Sequence, residues 1–132
     1  MTSLFGVPAS GMNTQAKRLQ VSAQNVANIT STGVRSDPAE AGDDGYRPQR
    51  VLAVATSGGG VRGRSVPVSP AALQAYDPGD PAADRQGLAP RPNVSLESEV
   101  VTQMQAKRAY QANVSVMKTM NQMTGALLDF TS

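Results

Sequence analysis

The chain has 132 residues and a formal net charge of +2, and it contains neither cysteine nor histidine. These absences exclude a disulfide framework, a Cys/His zinc site and a histidine-based catalytic triad. With no Trp, two Phe and three Tyr against 12 Gly and 9 Pro, the chain has few large side chains for a core of its own. A single domain of this composition would be marginally stable, so we expect assembly with other chains to bury further apolar surface.

The distribution of charge does not indicate a nucleic-acid partner. Residues 1–33 carry only two charges, residues 34–92 carry seven acidic residues and seven arginines, and residues 93–132 sum to zero. A nucleic-acid-binding protein would concentrate positive charge on one face or along one helix. We therefore expect no nucleic-acid partner.

No segment of the sequence predicts insertion into a membrane. No apolar run approaches the ~20 residues that span a bilayer. Residues 1–7 lack the basic region, apolar region and cleavage site of a secretory signal peptide. If the protein leaves the cytoplasm, we expect export without a cleaved signal peptide.

A first amphipathic helix is predicted over residues 9–30, with Pro8 in its first turn, where a missing N–H costs nothing. Apolar residues recur in it at alternating four- and three-residue steps, a heptad-type seam. The simpler interpretation is a surface helix of a small bundle. The spacing favours instead a long antiparallel or bundled coil with the C-terminal helix. The candidate subunit-interface residues of this seam are Met12, Ala16, Leu19, Ala23 and Val26.

The middle of the chain predicts a small β-rich insert. Residues 34–45 form a polar loop rich in Asp and Gly, and two strands, Gln49–Ala55 and residues 61–69, are joined by a triple glycine. The alternation of the second strand slips in phase, which predicts a bulge at Gly63. Prolines and glycines recur every few residues from 70 to 92, which predicts an irregular extended segment.

The last third of the chain, residues 93–132, predicts one long helix. Ser95 is a suitable N-cap, and Glu97 and Glu99 fall in the first turn, where the helix dipole favours negative charge. Apolar stripes continue for roughly 50 Å at 1.5 Å per residue, too far to be buried against so small a body. We therefore expect partner helices. The candidate subunit-interface residues on this helix are Val100, Tyr110, Val114, Met117, Met120 and Leu127.

These elements predict an α+β fold. Long N- and C-terminal helices, residues 1–33 together with 93–132, form a discontinuous coiled-coil or helical-bundle domain. Residues 34–92 form the insert, a β-hairpin followed by the irregular Pro/Gly-rich segment.

The sequence contains no arrangement that predicts catalysis. The triple glycine lacks the Gly-Lys-Ser/Thr ending and following helix of a phosphate-binding loop. Asp77, Asp80 and Asp84 lack EF-hand spacing and are interrupted by prolines, so we interpret them as solvated loop charges. We expect no enzyme activity, no cofactor, no metal and no small-molecule substrate.

Several short motifs resemble the bacterial flagellar rod and hook proteins, and together they extend over nearly the whole chain. Asn-Val-Ala-Asn at residues 25–28 and Gly-Tyr-Arg at 45–47 are similar to the N-terminal signature of that family. The Pro/Gly stretch from residue 76 to 94 resembles its proximal-rod members, and residues 109–113 resemble its C-terminal helix motif. Residues 34–44 and 56–65 depart from the pattern. The motif residues are Asn25, Ala27, Asn28, Gly45, Tyr46, Arg47, Tyr76, Pro78, Gly79, Asn93, Gln111 and Asn113.

The resemblance implies a structural subunit of the proximal rod of the flagellar basal body. Such a subunit polymerises through its terminal helices, crosses the periplasm as part of the rod, transmits torque and is exported by the flagellar type III machinery. Its implied partners are copies of itself, other rod proteins, and membrane-ring and distal-rod proteins at the two ends. Asn25 and Asn28 would hydrogen-bond to backbone across subunits or cap the turn.

The alternative function is a coiled-coil adaptor or export chaperone of the flagellar secretion system. The two differ in the isolated chain. A rod subunit without neighbours is expected to have frayed termini and less helix than its stripes suggest, whereas an adaptor would be a stable, compact monomer.

Overall fold

The computed structural model describes residues 5–32 and 45–131. The predicted loop at 34–45 therefore lies, apart from its last residue, outside the described residues. The α+β architecture is confirmed, with long helices at both ends and short antiparallel strands between them. In chain order the elements are α1 (Gly6–Ala27), β1 (Gln49–Ala55), β2 (Val61–Pro67), β3 (Ala72–Tyr76), β4 (Leu88–Pro92) and α2 (Leu96–Thr131).

The two helices pack side by side and antiparallel. Ser22, near the end of α1, donates to the carbonyl of Glu99 (3.3 Å) and accepts from Gln103 Nε2 (3.1 Å), while Gly11 lies against Asn113. At 1.5 Å per residue α2 is about 54 Å long and α1 about 33 Å. This pairing sets Phe5, the first described residue, opposite about residue 119. The remaining dozen or so residues of α2 extend beyond the described part of α1, and residues 121–127 are all exposed.

The hairpin of β1 and β2 confirms the first predicted strand, with bounds Gln49–Ala55, and shortens the second. Its turn contains Gly59 and Gly60, both at φ +85°, a conformation that favours glycine. The register is uninterrupted and pairs Ala53 with Gly63, so the predicted bulge is wrong. Gly63 serves close packing instead, since a Cβ there would lie 3.1 Å from Val51 Cγ1 and 3.4 Å from Thr14 Cγ2.

Helix α1 covers the outer edge of β2. Ser10 Oγ accepts from the Val61 N–H (3.0 Å), Lys17 Nζ donates to the Gly63 carbonyl (3.2 Å), and Thr14 Oγ1 reaches the Val61 carbonyl at 3.5 Å. These backbone groups point away from β1 and would otherwise form an open edge. Polar side chains on one face of α1 therefore fix the hairpin to the helix.

The segment from residue 70 to 92 is a second hairpin, so the predicted irregular structure is wrong. Strands β3 and β4 pair antiparallel from Ala72↔Pro92 to Tyr76↔Leu88. The backbone bonds that flank the pair, from Asn93 to Ala71 O and from Asp77 to Gly87 O, place Pro90 and Pro92 where an N–H would point away from β3. Proline is tolerated in a strand at such positions.

The buried core of the described residues is small and partly polar. Its polar or charged members are Thr14, Ser22, Asn25 and Asp80, and its apolar members are Val21, Ala72, Ala89, Ala106 and the prolines Pro8, Pro48 and Pro92. Larger apolar side chains lie outside it, nine of them exposed along α2: Leu96, Val100, Val101, Met104, Tyr110, Val114, Val116, Met123 and Leu127. Most of the large apolar side chains of α2 whose exposure is described therefore lie on the surface.

Candidate assembly interface

A buried polar cluster joins the end of α1, the start of β1 and the first turn of α2. Asn25, only 2% exposed, accepts through Oδ1 from the Tyr46 hydroxyl (2.6 Å) and from the Gln49 N–H (3.1 Å). Its Nδ2 donates to the Gln49 carbonyl (2.8 Å) and to Glu99 Oε1 (2.7 Å). The amide thus uses all four of its hydrogen-bonding positions and pairs with the backbone of Gln49 as a neighbouring strand would.

The surroundings of Tyr46 in this cluster raise the pKa of its phenol. Partial burial, and then the negative charge of Glu99, raise the pKa of the Tyr46 phenol above its ordinary value. Both effects favour the neutral hydroxyl, which is the form that donates to Asn25. The family-type residues Asn25 and Tyr46, 21 positions apart, therefore act as one unit.

The other N-terminal motif residues have smaller roles. Asn28 is the C-cap of α1, and its Nδ2 donates to the Gln24 carbonyl one turn back (2.8 Å). Ala27 is exposed, and Gly45 and Arg47 are half-buried. The two roles predicted for Asn25 and Asn28 therefore fall to different residues. Asn25 bonds to backbone within its own subunit and has no position left for a neighbour, whereas Asn28 closes the turn.

The middle motif residues belong to the second hairpin and its junctions. Asn93 Nδ2 donates to the Pro70 carbonyl (2.9 Å), which closes the open end of the hairpin. Tyr76 is 76% exposed, and its ring lies against Gly87. Pro78 and Gly79 are exposed in the turn that follows.

Arg91, which the motif comparison missed, connects this hairpin to the turn that follows α1. Its guanidinium forms an ion pair with Asp77, lies 3.7 Å from the buried Asp80 carboxylate and donates to the Thr30 carbonyl (3.1 Å). The feature of the sequence that indicates a cationic partner here is the acidic cluster of Asp77, Asp80 and Asp84, whose interpretation as solvated loop charges does not hold for the buried Asp80. Asp77, Asp80 and Asp84 also accept backbone N–H groups within the turn, so they shape it.

The C-terminal motif marks the point where the helices approach closely. A Cβ on Gly11 would lie 2.9 Å from Asn113 Nδ2, and that amide donates to the Ala109 carbonyl (2.9 Å). Gln111 is exposed. Gly11 was not singled out from the sequence, because a lone glycine within a helix carries no signal of what packs against it.

The predicted interface residues lie mainly outside the contacts within the subunit. In α1, Ala16 and Ala23 are exposed and Met12, Leu19 and Val26 are half-buried; in α2, Val100, Tyr110, Val114 and Leu127 are exposed and Met117 and Met120 are half-buried. The side of α1 that packs inside the subunit carries mainly small and polar residues around the buried Val21. They are Ser10, Gly11, Thr14, Lys17, Ser22 and Asn25.

The apolar stripes of the two helices lie on the same side of the helix pair. At ~100° per residue, the α1 seam is about a quarter-turn from the α2 contact and nearly opposite the face that holds the β1–β2 hairpin. On α2, Val100 and Val114 lie a similar angle around the helix from the side that contacts α1. They are rotated in the same sense, looking from the N- to the C-terminus of each helix, as the α1 seam is from its own contact side. Because the helices are antiparallel, these equal rotations bring both stripes to one surface, which we call the apolar face: Met12, Ala16, Leu19, Ala23, Val26, Leu96, Val100 and Val114.

The described residues offer little for other kinds of chemistry. They contain no group of three or more His, Cys, Asp or Glu placed to hold a metal ion. Neither described helix combines the length and apolarity needed to cross a membrane. What the arrangement provides is a rigid junction at Asn25 and exposed helical surface for packing.

Comparison with known proteins identifies the family. Residues 85–130, which include β4 and nearly all of α2, match the family model for the flagellar basal body rod FlgEFG protein C-terminal region. Over 130 residues the chain is 38% identical to the flagellar basal-body rod protein FlgC of Salmonella typhimurium, covering 93% of this chain and 92% of that protein. The chain belongs to the FlgC family of flagellar basal-body rod proteins.

The chain is similar to FlgC proteins of other bacteria as well. FlgC of Escherichia coli O6:H1 is 37% identical over 125 residues, and FlgC of Agrobacterium fabrum is 31% identical over 129 residues. As a member of the FlgC family, the chain is a structural subunit of the flagellar basal-body rod, in a family that is not one of enzymes. Neither comparison points to an adaptor or an export chaperone.

Proposed function

We propose that this FlgC-family subunit belongs to the proximal rod and polymerises through its terminal helices to transmit torque. The observation that carries the proposal is the apolar face shared by α1 and α2. The core within the subunit is small, whereas the apolar face carries nearly half-exposed leucine and valine side chains of α2 beside exposed alanines and half-buried larger side chains of α1. Burying each large apolar side chain against a neighbour would contribute roughly 1.5–3 kcal/mol, which suits a stiff assembly.

The proposal divides the chain into two parts. Residues 1–33 with 93–132 form the rod core, and residues 34–92 form the insert outside it. The position of the β1–β2 hairpin supports this division, since it occupies the side of α1 nearly opposite the apolar face. Non-closing contacts between successive copies through the apolar face would generate a helical path and not a closed ring.

The partners and location follow from the family resemblance. The proposed neighbours are further copies, other rod proteins, and membrane-ring and distal-rod proteins at the two ends. The rod crosses the periplasm, and the subunit reaches it through the flagellar type III apparatus with its N-terminus retained. Measuring the mass of the chain from purified basal bodies tests the last point, since a cleaved leader would make it lighter than the sequence requires.

Substitution of the apolar face tests the assembly itself. Val100→Asp and Val114→Asp place a charge at positions 45% and 44% exposed, where the single chain tolerates it but a buried contact does not. Cells that carry either variant as their only copy should export the protein and fail to swim, without rods in isolated basal bodies. Gln105→Asp, also exposed on α2 but turned away from the apolar face by about 140° or more at 100° per residue, is the matched control and should swim.

Circular dichroism of each purified variant separates assembly from folding. The two valine variants should retain the helix content of the parent. Normal swimming by both of them would overturn the proposed interface, because an assembly buried on that face could not accommodate two carboxylates.

A further inference from the structure

The β1–β2 hairpin carries positive charge without local compensation. Residues 45–76 contain four arginines and no acidic residue. Arg62 and Arg64 on β2 are both exposed, and neither guanidinium forms a hydrogen bond or ion pair with any residue in the described ranges 5–32 and 45–131. The register sets Arg62 opposite Val54 and Arg64 opposite Leu52, so two cations and two aliphatic side chains share one face.

These residues border a concave surface. Arg62, Arg64, Val54 and Thr56 line a depression with a volume of about 770 Å³, and Lys17 of α1 closes one side. The Lys17 ammonium is held there by its bond to the Gly63 carbonyl (3.2 Å). The lining of the depression contains three cationic residues, no acidic residue and no aromatic residue. We call this surface the cationic groove.

We infer that the cationic groove binds an acidic, aliphatic-bearing segment of another protein. Arg62 and Arg64 are two positions apart on one strand, so their attachment points are about 6.7 Å apart. Alternate residues of an extended segment have the same spacing, so successive outward carboxylates of such a segment can meet both guanidinium groups. Arginine presents a planar fork suited to carboxylate, and Val54, 49% exposed, offers apolar contact beside it.

The composition favours a protein segment over other anions. An anionic bilayer presents charge at its headgroups but keeps its aliphatic chains beneath them, whereas a protein segment offers carboxylates to the arginines and aliphatic side chains to the exposed Val54 together. Single-stranded nucleic acid is usually held by aromatic stacking as well as by charge, and no aromatic side chain lines the groove. The groove is on the hairpin side of α1, away from the apolar face, so this inference does not depend on the proposed helical assembly.

The binding test uses the purified full chain and short labelled peptides. The peptide Glu-Ser-Glu-Ser-Val-Ser-Val, which when extended sets two carboxylates and two valines on one face, is titrated by fluorescence anisotropy, beside the same peptide with Gln in place of Glu. The acidic peptide should bind, and more weakly as salt is raised, because exposed charge pairs are screened. The Gln peptide should bind at least about tenfold more weakly. Equal binding of the two peptides, or no binding of the acidic one, would overturn the inference.

Variants and vesicles complete the experiment. The double variant Arg62→Gln/Arg64→Gln should weaken binding of the acidic peptide about tenfold with unchanged thermal unfolding, since both side chains are exposed. Arg85→Gln, in the exposed turn of the other hairpin, is the matched control and should bind as the parent does. An equal loss in Arg85→Gln counts against the groove. The inference is also overturned if the chain binds phosphatidylglycerol vesicles but not the acidic peptide, and the double variant weakens that binding to vesicles.

Discussion

Asn25 shows how one motif residue can determine the geometry of three elements. Its buried amide bonds to Tyr46, to both backbone groups of Gln49 and to Glu99. Asn25→Ala would leave these groups without partners and should lower the free energy of unfolding by about 2–4 kcal/mol. Asn28→Ala, which loses one bond to the last turn of α1, should cost less than about 1 kcal/mol. Urea unfolding followed by circular dichroism measures the free energy of unfolding of both variants. Equal losses in the two would show that the hydrogen bonds of Asn25 stabilise the fold no more than the single bond of Asn28 does.

Tyr46 links the same cluster to pH. Folding raises the pKa of its phenol, so the folded state holds the proton more tightly than the unfolded chain does. This contribution to stability is fully present below the unfolded-state pKa, about 10, and is lost as pH rises through the higher folded-state value. The free energy of unfolding should therefore fall above about pH 10.

Tyr46→Phe isolates that effect. The variant should be less stable at neutral pH by about 1 kcal/mol, since Asn25 Oδ1 loses a donor, and its alkaline loss of stability should be smaller than in the parent. Tyr110→Phe, which removes a hydroxyl without a hydrogen bond to any described residue, is the control. If the parent and Tyr46→Phe lose stability in parallel above pH 10, the hydroxyl of Tyr46 does not titrate with folding.

At the scale of elements, the crossing of α1 and α2 depends on Gly11. Glycine within a helix costs about 1 kcal/mol relative to alanine. Gly11→Ala would recover this propensity but place a Cβ 2.9 Å from the Asn113 amide, which is itself bonded to Ala109. We therefore expect Gly11→Ala to destabilise the parent and to stabilise an Asn113→Ala background. The coupling should be about 1–2 kcal/mol in a double-mutant cycle. Additive effects would indicate that the helices move apart easily.

The elements also show what sequence patterns can and cannot predict. The bounds of β1 followed from a short alternating run, and the start of α2 from Ser95, whose Oγ accepts the Ser98 N–H (3.3 Å). The second hairpin was missed because its prolines occupy outward-facing backbone positions, which composition does not distinguish from breaks. The inner face of α1 was missed because Ser22 and Asn25 are buried by bonds to residues 74 to 81 positions away. The motif resemblance named Asn25 and Tyr46 but could not indicate that they touch.

At the scale of the whole molecule, the described core is small and partly polar, and many large apolar side chains lie on the surface. Polar and small residues hold the subunit together, while valine, leucine and methionine side chains of α2 are exposed. A monomer built this way is specific in shape but small in buried apolar area, so much of its stability must come from neighbours. The antiparallel pairing also divides α2 into a stretch that α1 supports and a stretch that it does not, from about residue 120 onward.

This division predicts how the isolated chain should behave. An unsupported helical end of on the order of a dozen residues is marginal in water, because propensity alone barely offsets the cost of ordering the backbone. In native-state hydrogen exchange, amides of residues 121–131 should exchange far faster than those of residues 103–117, which α1 supports. Met123→Asp and Leu127→Asp, at positions 62% and 67% exposed, should leave the unfolding midpoint of the purified chain unchanged and abolish swimming.

The outcome separates the two interpretations of the exposed helix. A rod subunit reserves that surface for neighbours, so order there should appear only on assembly, and a single carboxylate should be tolerated in solution but not in the rod. Uniform protection along α2 in the isolated chain, together with normal swimming by both variants, would instead fit a self-sufficient adaptor. Because exchange is measured without partners and swimming requires them, a defect in folding cannot be mistaken for a defect in assembly.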